Sequence, residues 1–151
     1  MINGVISKNL KTLTDDRGFL IELLKEGEPT FLQIKQTIYT EAYPGVIKAF
    51  HWHKKQTDIW FFSSGMVQVV LYDLREDSPT FKETNVFYLG EKNQQLLLIP
   101  AGLAHGYRVL GSKPACLFYH TTEPYNLDNP DEERMPFDDP QIGFDWETKN
   151  R

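Results

Sequence analysis

The chain has 151 residues, 40% of them hydrophobic and 25% charged, which is enough for one globular domain with its own core. Its net charge of −5 argues against nucleic acid or an anionic membrane as the main partner, since either would require a basic face. A single cysteine excludes an intrachain disulfide, and the lack of a signal-like leader or a long apolar run predicts a cytoplasmic protein.

Short apolar or alternating runs between turn residues dominate the chain and predict an all-β sandwich or barrel. Nine strands are predicted in chain order: Gly18–Leu24, Thr30–Thr40, Val46–Trp52, Ile59–Ser63, Met66–Tyr72, Phe81–Tyr88, Gln95–Ile99, Gly106–Leu110 and Ala115–Thr121. Helical turns are predicted near Leu10–Thr14 and over Pro130–Arg134, where Asn129 is a suitable cap. A single domain is expected, with N-terminal strands over residues 1–40, a barrel core over 41–125 and an acidic segment over 126–151.

The acidic C-terminal segment has two interpretations. Its polar, proline-containing composition is that of a partly disordered tail. Met135-Pro136-Phe137 and Ile142–Trp146, however, carry large apolar groups that tails usually lack. A flap folded over the mouth of the barrel would use these groups, and we expect such a flap.

Three of the four histidines lie in two stretches that are patterned as strands. His51 and His53 are two residues apart, so on a strand they project to the same face, and Asp58 follows five residues after His53. His105 can join them from a neighbouring strand if the strands curl into a barrel. Such a group either holds a metal or presents an imidazole to a bound substrate.

Two patterns around these residues resemble the motifs of the cupin proteins. The first is G-x5-H-x-H-x4-D-x6-G over residues 45–65, with an aspartate where glutamate is usual, and the second is P-x-G-x-x-H over residues 100–105. The resemblance implies an all-β cupin jelly-roll β-barrel with its site in the mouth. It also supports one functional alternative, a metal-dependent enzyme that binds a divalent transition metal through His51, His53, Asp58 and His105.

A second resemblance covers nearly the whole chain, to the dTDP-4-dehydrorhamnose 3,5-epimerase family. The matching stretches, in order, are Asp16–Phe19 with Glu22, Gly45–His51, Asp73–Phe81, Ile99–Tyr107, Tyr119–Tyr125, and Asp139-Pro140 with Gly143 and Trp146. This resemblance implies an isomerase that acts on a nucleotide-activated 4-keto-6-deoxy sugar. It further implies a homodimer and a reaction that uses neither metal nor cofactor.

The family resemblance assigns catalytic roles to three residues. His51 matches the base that removes a proton next to the C4 ketone, and a free imidazole suits this task at neutral pH. Tyr119 matches the acid that returns a proton on the other face of the sugar. Asp139 matches the carboxylate that orients the base, with the adjacent Asp138 as an alternative.

Four further residues match positions that bind the substrate. Arg17 matches an arginine that grips the diphosphate, where a planar guanidinium suits phosphate. Lys48 stands where the family has an arginine three residues before the base, and it keeps the charge without the bidentate geometry. His105 and Tyr125 match residues that line the pocket.

One departure from the family affects the centre of the site. Counting back from Gly65 puts the family's enolate-stabilising lysine at Asp58, and the glutamine two residues after the base is His53 here. A carboxylate at roughly 4 Å from a developing enolate costs on the order of 4 kcal/mol at an effective dielectric of about 20. At about 1.4 kcal/mol per tenfold, this is nearly a thousandfold in rate. Epimerisation of a single carbon, or ketoisomerisation, is therefore an alternative prediction to 3,5-epimerisation.

Two other hypotheses stay open. A divalent ion on the four-ligand site would restore positive charge, but His51 cannot be ligand and base through the same nitrogen. In that case Tyr119 or Glu22 would carry protons. The other hypothesis is a nucleotide-sugar-binding protein that has kept the pocket and lost the chemistry.

Overall fold

Alternating sequence patterns place one face of most strands in a shared core. The computed structural model describes residues 1–148 and contains twelve strands in that range. Their bounds are β1 (Ile6–Asn9), β2 (Thr12–Asp15), β3 (Gly18–Ile21), β4 (Gln36–Ala42), β5 (Ile47–Trp52), β6 (Asp58–Ser64), β7 (Met66–Asp73), β8 (Thr84–Gly90), β9 (Gln95–Ile99), β10 (Leu103–Leu110), β11 (Ala115–Thr121) and β12 (Glu133–Arg134).

Ten of these strands form two antiparallel five-stranded sheets. The first sheet has the order β1-β9-β6-β11-β4 and the second β12-β5-β10-β7-β8, while β2 and β3 form a separate hairpin. Phe62 and Leu97 of the first sheet share one buried cluster with Val69 and Leu103 of the second, so the sheets pack face to face. The predicted all-β jelly roll is confirmed. Within residues 1–148 the sheets hydrogen-bond as two layers and not as one closed barrel.

The N-terminal strands are shorter than predicted. Residues 22–35 are not in a strand, because their apolar side chains cover the outer face of the first sheet. Leu23 and Leu32 pack there against the buried Ile59 and Leu96. The apolar residues of this segment are spaced as in a strand, but the segment packs as a loop that covers the sheet.

Both predicted helical turns are wrong. Residues Thr12–Asp15 pair with β3 in the hairpin, and Glu133–Arg134 pair with β5. The second error has a clear cause: the Asp131 carboxylate accepts hydrogen bonds from the backbone N–H groups of residues 54, 55 and 56, so long-range contacts fix the segment in an extended form. Residues 1–148 contain no helix with the length and apolar character that a membrane span requires.

The C-terminal segment is packed onto the second sheet as far as residue 148. After β12, Ile142 and Trp146 are buried in a cluster on the outer face of that sheet, where the rings of Trp146 and Phe50 lie 5.5 Å apart. The indole Nε1 of Trp146 donates to the carbonyl of Phe137 at 2.9 Å. The apolar groups that were expected in a flap over the mouth therefore lie on the outer face of the second sheet, and Asp131, Glu132 and Arg134 are the residues of this segment that line the space between the sheets. Residues 149–151 of the predicted segment lie outside the described residues.

Candidate active site

A cavity of about 470 Å³ opens between the two sheets. Its walls come from β4, β6 and β11 of the first sheet, from β5 and β10 of the second, and from the C-terminal segment. The lining residues are Gln36, Ile38, Thr40, Lys48, His51, His53, Gln56, Asp58, Trp60, His105, Tyr107, Leu117, Tyr119, Thr121, Pro124, Tyr125, Asp131, Glu132 and Arg134. The volume suits a small-molecule ligand.

The strand register brings the three predicted histidines into this cavity. His51 on β5 and His105 on β10 are direct partners across the two strands. Their rings are 6.4 Å apart and nearly parallel, with 23° between the planes. His53 lies just beyond the end of β5, and its ring is 5.5 Å from that of His105.

His51 is paired with a carboxylate that the sequence did not indicate. Its Nδ1 lies 3.3 Å from Oε1 of Glu132, which precedes β12. Burial lowers the pKa of His51, and Glu132 partly opposes this shift. Burial also acts to raise the pKa of Glu132, but the hydrogen bond from Arg134 and the charge of His51 hold it below its usual value. His51 is therefore a neutral base at pH 7 with a carboxylate ready to stabilise its protonated form.

Asp139 does not take the predicted position beside His51. Its Oδ1 accepts a hydrogen bond from the backbone N–H of Gln141 at 2.9 Å, and its carbonyl accepts from Ile142 and Gly143, so it organises a turn. Asp138 is exposed and does not line the cavity either. The Asp131-Glu132 pair was interpreted as the first turn of a helix, and only the pairing of β12 with β5 reveals that Glu132 reaches His51.

Asp58 lines the cavity, is only 3% exposed and lies close to two imidazoles. Its Oδ2 is 3.6 Å from Nε2 of His105 and 3.9 Å from Nε2 of His53. The same oxygen accepts a hydrogen bond from Nε1 of Trp60 at 3.1 Å, and Oδ1 accepts from Nε2 of Gln56 at 2.7 Å. The carboxylate is thus held in a fixed orientation.

Backbone carbonyls fix the tautomers of both imidazoles that face Asp58. Nδ1 of His105 donates to the carbonyl of Leu103 at 2.9 Å, and Nδ1 of His53 donates to the carbonyl of Asp131. Since a carbonyl can only accept, each Nδ1 carries a hydrogen. The Gln56 amide NH2 can only donate, and its contact of 3.2 Å with Nε2 of His53 shows that this nitrogen presents a lone pair. Burial lowers the pKa of His105 to about 4, so this ring is neutral at pH 7.

The four residues of the predicted metal site separate into two groups. Among the described residues, His53, Asp58 and His105 place one ligand atom each within 4.8 Å of one another. His51 is not in this group, since its Nδ1 faces Glu132. The predicted four-ligand site is therefore reduced to three residues, with His51 outside it.

Tyr119 lies across the cavity from His51. It is on β11 of the first sheet, while His51 is on β5 of the second, and both line the same space. Burial raises the pKa of Tyr119, and the negative charges of Asp58 and Glu132 act in the same direction. The phenol is thus protonated at neutral pH and able to donate.

The predicted substrate-binding residues have different locations. Lys48 lines the cavity, where its Nζ donates to Oγ1 of Thr40 at 3.2 Å, and Tyr125 lies at the mouth. Arg17 is exposed at the turn of the β2–β3 hairpin, paired with Asp15, and does not reach the cavity of its own chain. Glu22, the alternative proton carrier, is also exposed and outside the cavity lining.

Three comparisons with known proteins give the family and the fold. The family model for dTDP-4-dehydrorhamnose 3,5-epimerase matches residues 1–151. The spore coat polysaccharide biosynthesis protein SpsL of Bacillus subtilis is 56% identical over 151 residues, covering 100% of both chains. The solved dTDP sugar isomerase from Desulfovibrio desulfuricans G20 has a TM-score of 0.89 at 31% identity, covering 96% of this chain and 92% of that one.

A further solved structure carries a ligand. It is the dTDP-6-deoxy-D-glucose-3,5-epimerase from Legionella pneumophila in complex with dTDP-4-keto-L-rhamnose, with a TM-score of 0.84 at 28% identity. The match covers 97% of the present chain and 80% of the Legionella pneumophila chain. With the whole chain matched by one family model and its fold shared with these enzymes, the protein belongs to the dTDP-4-dehydrorhamnose 3,5-epimerase family.

Proposed function

We propose that this protein epimerises a carbon next to the C4 ketone of a nucleotide-activated 4-keto-6-deoxy sugar. The observation that carries the proposal is the placement of His51 and Tyr119 on opposing sheets of one cavity. A base on one face of a sugar and an acid on the other are what inversion of a carbon requires. The names of the family and of the ligand-bound relative support the substrate class.

The reaction divides into two proton transfers. His51 takes the proton from the carbon beside the ketone through Nε2, and the electron pair of the broken C–H bond moves onto the ketone oxygen to give an enolate. Tyr119 then donates its proton to the opposite face of that carbon as the ketone re-forms. The proton held by His51 leaves to solvent, and the Tyr119 phenolate regains one, so the protein returns to its starting state.

Glu132 positions the base for this cycle. The Glu132 carboxylate, 3.3 Å from Nδ1, favours the His51 tautomer that carries its hydrogen on Nδ1, which leaves the Nε2 lone pair for the substrate. When His51 becomes an imidazolium, the carboxylate stabilises the new charge. Both proton transfers use side chains alone, so we propose that they require no organic cofactor.

The substrate's nucleotide requires positive charge at the mouth of the cavity. Lys48 and Arg134 line the cavity and supply it, since cations bind diphosphate through charge-assisted hydrogen bonds. Tyr125, which is 60% exposed at the mouth, offers a face on which a base could stack. We propose these three residues as the nucleotide-binding set.

We also propose that the protein is a homodimer. The β2–β3 hairpin exposes Leu13, Phe19 and Leu20, and a second copy would remove this apolar surface from water. Arg17 lies at the turn of the same hairpin, so a dimer could bring it to the partner's cavity. A cytoplasmic location is proposed as well, which the free thiol of Cys116 fits, because reducing compartments keep thiols unpaired.

Solvent exchange tests the proposed function. The protein is incubated in heavy water with a small panel of 4-keto nucleotide sugars, and NMR follows both deuterium at C3 and C5 and the configuration of the product. Exchange with inversion on at least one substrate, lost in His51→Gln, is the expected result. Tight binding of the sugars with no exchange would identify a binding protein and contradict the proposal.

A further inference from the structure

We propose that His53, Asp58 and His105 bind one divalent transition-metal cation in the same cavity as His51, while His51 stays free as the base. Their ligand atoms lie within 4.8 Å of one another, with 3.6 Å and 3.9 Å separating Asp58 Oδ2 from the two imidazole nitrogens. Atoms bound to one cation at about 2.1 Å are roughly 3 to 3.5 Å apart. Side-chain adjustments of less than about 1 Å therefore suffice to form the site.

The two imidazoles are already oriented for coordination. Each donates its Nδ1 hydrogen to a backbone carbonyl, that of Leu103 for His105 and that of Asp131 for His53. Metal-bound histidines are held in this way, with the second nitrogen fixed by a carbonyl or carboxylate and the lone pair aimed at the ion. Trp60 Nε1 and the Gln56 amide fix the Asp58 carboxylate in the same manner.

The cluster brings together three acceptors, which is unfavourable unless something positive lies between them. Two Nε2 lone pairs and a carboxylate face one another in a buried position. The Gln56 amide nitrogen contacts two of them, at 2.7 Å from Asp58 Oδ1 and 3.2 Å from His53 Nε2. A divalent cation would satisfy all three at once, and two imidazoles with one carboxylate are ligands that first-row transition metals prefer.

The site and the base do not compete for the same nitrogen. His51 turns its Nδ1 to Glu132, and its ring lies 6.4 Å from that of His105. A divalent ion bound by a single carboxylate leaves one net positive charge beside the substrate. That charge would stabilise the enolate, which the Asp58 carboxylate alone would repel. This catalytic role rests on the proposed function, whereas binding of the metal ion does not depend on it.

Direct binding tests the site without any substrate. The protein is stripped with a chelator, then titrated with Co²⁺ followed by visible absorption, with Zn²⁺ as competitor. One equivalent per chain and an X-ray absorption spectrum of the zinc form showing two imidazoles are expected. Failure to bind either ion at millimolar concentration, or three imidazoles in the wild-type spectrum, would overturn the proposal.

Four variants locate the ion. Asp58→Asn and His53→Gln should each weaken Co²⁺ binding at least a hundredfold, and using both guards against a folding defect in either one. His51→Gln should keep the affinity within about threefold, as should His120→Gln, a matched control whose side chain does not line the cavity. Loss of binding in His51→Gln would show a four-ligand site, and unchanged binding in the first two would show an ion elsewhere; either result overturns the proposal.

The catalytic role is tested separately. Deuterium exchange by the stripped wild-type protein should fall roughly a thousandfold and return on adding one equivalent of metal. Full exchange by the stripped protein would overturn the role of the cation and leave the epimerase proposal standing. A fully loaded protein that exchanges no substrate would contradict the epimerase proposal and leave the metal site in place.

Discussion

His51 and His105 are register partners on adjacent strands, with rings 6.4 Å apart, yet each faces a different carboxylate. His51 turns its Nδ1 to Glu132 at 3.3 Å, and His105 turns its Nε2 to Asp58 at 3.6 Å. Two neighbouring imidazoles, both neutral at pH 7, thus face two separate carboxylates. This division lets one cavity hold a free base and a fixed acceptor cluster together.

Replacing the carboxylate beside the base should slow proton abstraction. We expect Glu132→Gln to reduce deuterium exchange at least about tenfold, because His51 loses the charge that stabilises its imidazolium. Without that charge the pKa of His51 falls, so the acid limb of the rate–pH profile should move to lower pH. Asp139→Asn is the matched comparison, and it should change neither rate nor profile. Slow exchange in Asp139→Asn with unchanged exchange in Glu132→Gln would instead assign the orienting role to Asp139.

Replacing the acid should separate exchange from inversion. In Tyr119→Phe, His51 can still remove and return a proton on its own face, so deuterium should continue to enter the substrate. Formation of the inverted product should fall at least about a hundredfold, because no acid remains on the opposite face. NMR measures both quantities in one sample. Equal loss of exchange and inversion would place Tyr119 in some other role.

Gly106 allows β5 and β10 to approach closely at the site. A Cβ at this position would lie 2.4 Å from Cβ of Ala49 and 2.8 Å from the carbonyl oxygen of Lys48. Gly106→Ala should therefore push β5 away from β10 and shift His51 relative to His105. We expect a loss of stability of about 2 kcal/mol and at least a tenfold slower exchange, measured by urea unfolding and NMR. An unchanged free energy of unfolding and an unchanged exchange rate would show that β5 and β10 accommodate the added methyl group without loss of stability or activity.

Asp73 stabilises the fold away from the site. Burial by itself would raise its pKa, but hydrogen bonds from Arg75, Ser78 and Thr80 hold that pKa far below the usual value. Asp73→Asn should lower the free energy of unfolding by about 3 kcal/mol at pH 7, since it leaves Arg75 without its partner.

The same pair has a predicted pH dependence. Because the folded pKa of Asp73 is depressed, its contribution is fully present above the unfolded value near 3.9 and is lost as the pH falls below it. Urea unfolding of wild type and Asp73→Asn should therefore converge as the pH is lowered below about 4. The exposed Asp77→Asn serves as the control and should match wild type throughout. A constant difference between wild type and Asp73→Asn at all pH values would contradict the ionic origin of the effect.

Local pattern predicted most strands of the two five-stranded sheets, because their alternation reflects burial on one face. Val46–Trp52 and Ala115–Thr121 were predicted almost at the observed bounds, and they carry His51 and Tyr119. The period of two also predicted that His51 and His53 project together. These features depend only on neighbours along the chain.

Features that depend on distant contacts could not be predicted in this way. Glu132 reaches His51 only because Asp131 binds the backbone after β5 and holds the segment extended. The sequence of this segment, a proline followed by acidic residues, is equally typical of the start of a helix. The tautomers of His53 and His105 are likewise set by carbonyls whose positions follow from the folded structure.

A crystal structure of His51→Asn with a bound 4-keto-6-deoxy dTDP-sugar would show directly whether residue 51 and Tyr119 face opposite sides of the sugar. We expect the sugar ring inside the cavity, with residue 51 and the Tyr119 hydroxyl within hydrogen-bond reach of opposite faces of the same carbon. A sugar bound outside the cavity, or with both side chains on one face, would contradict this expectation.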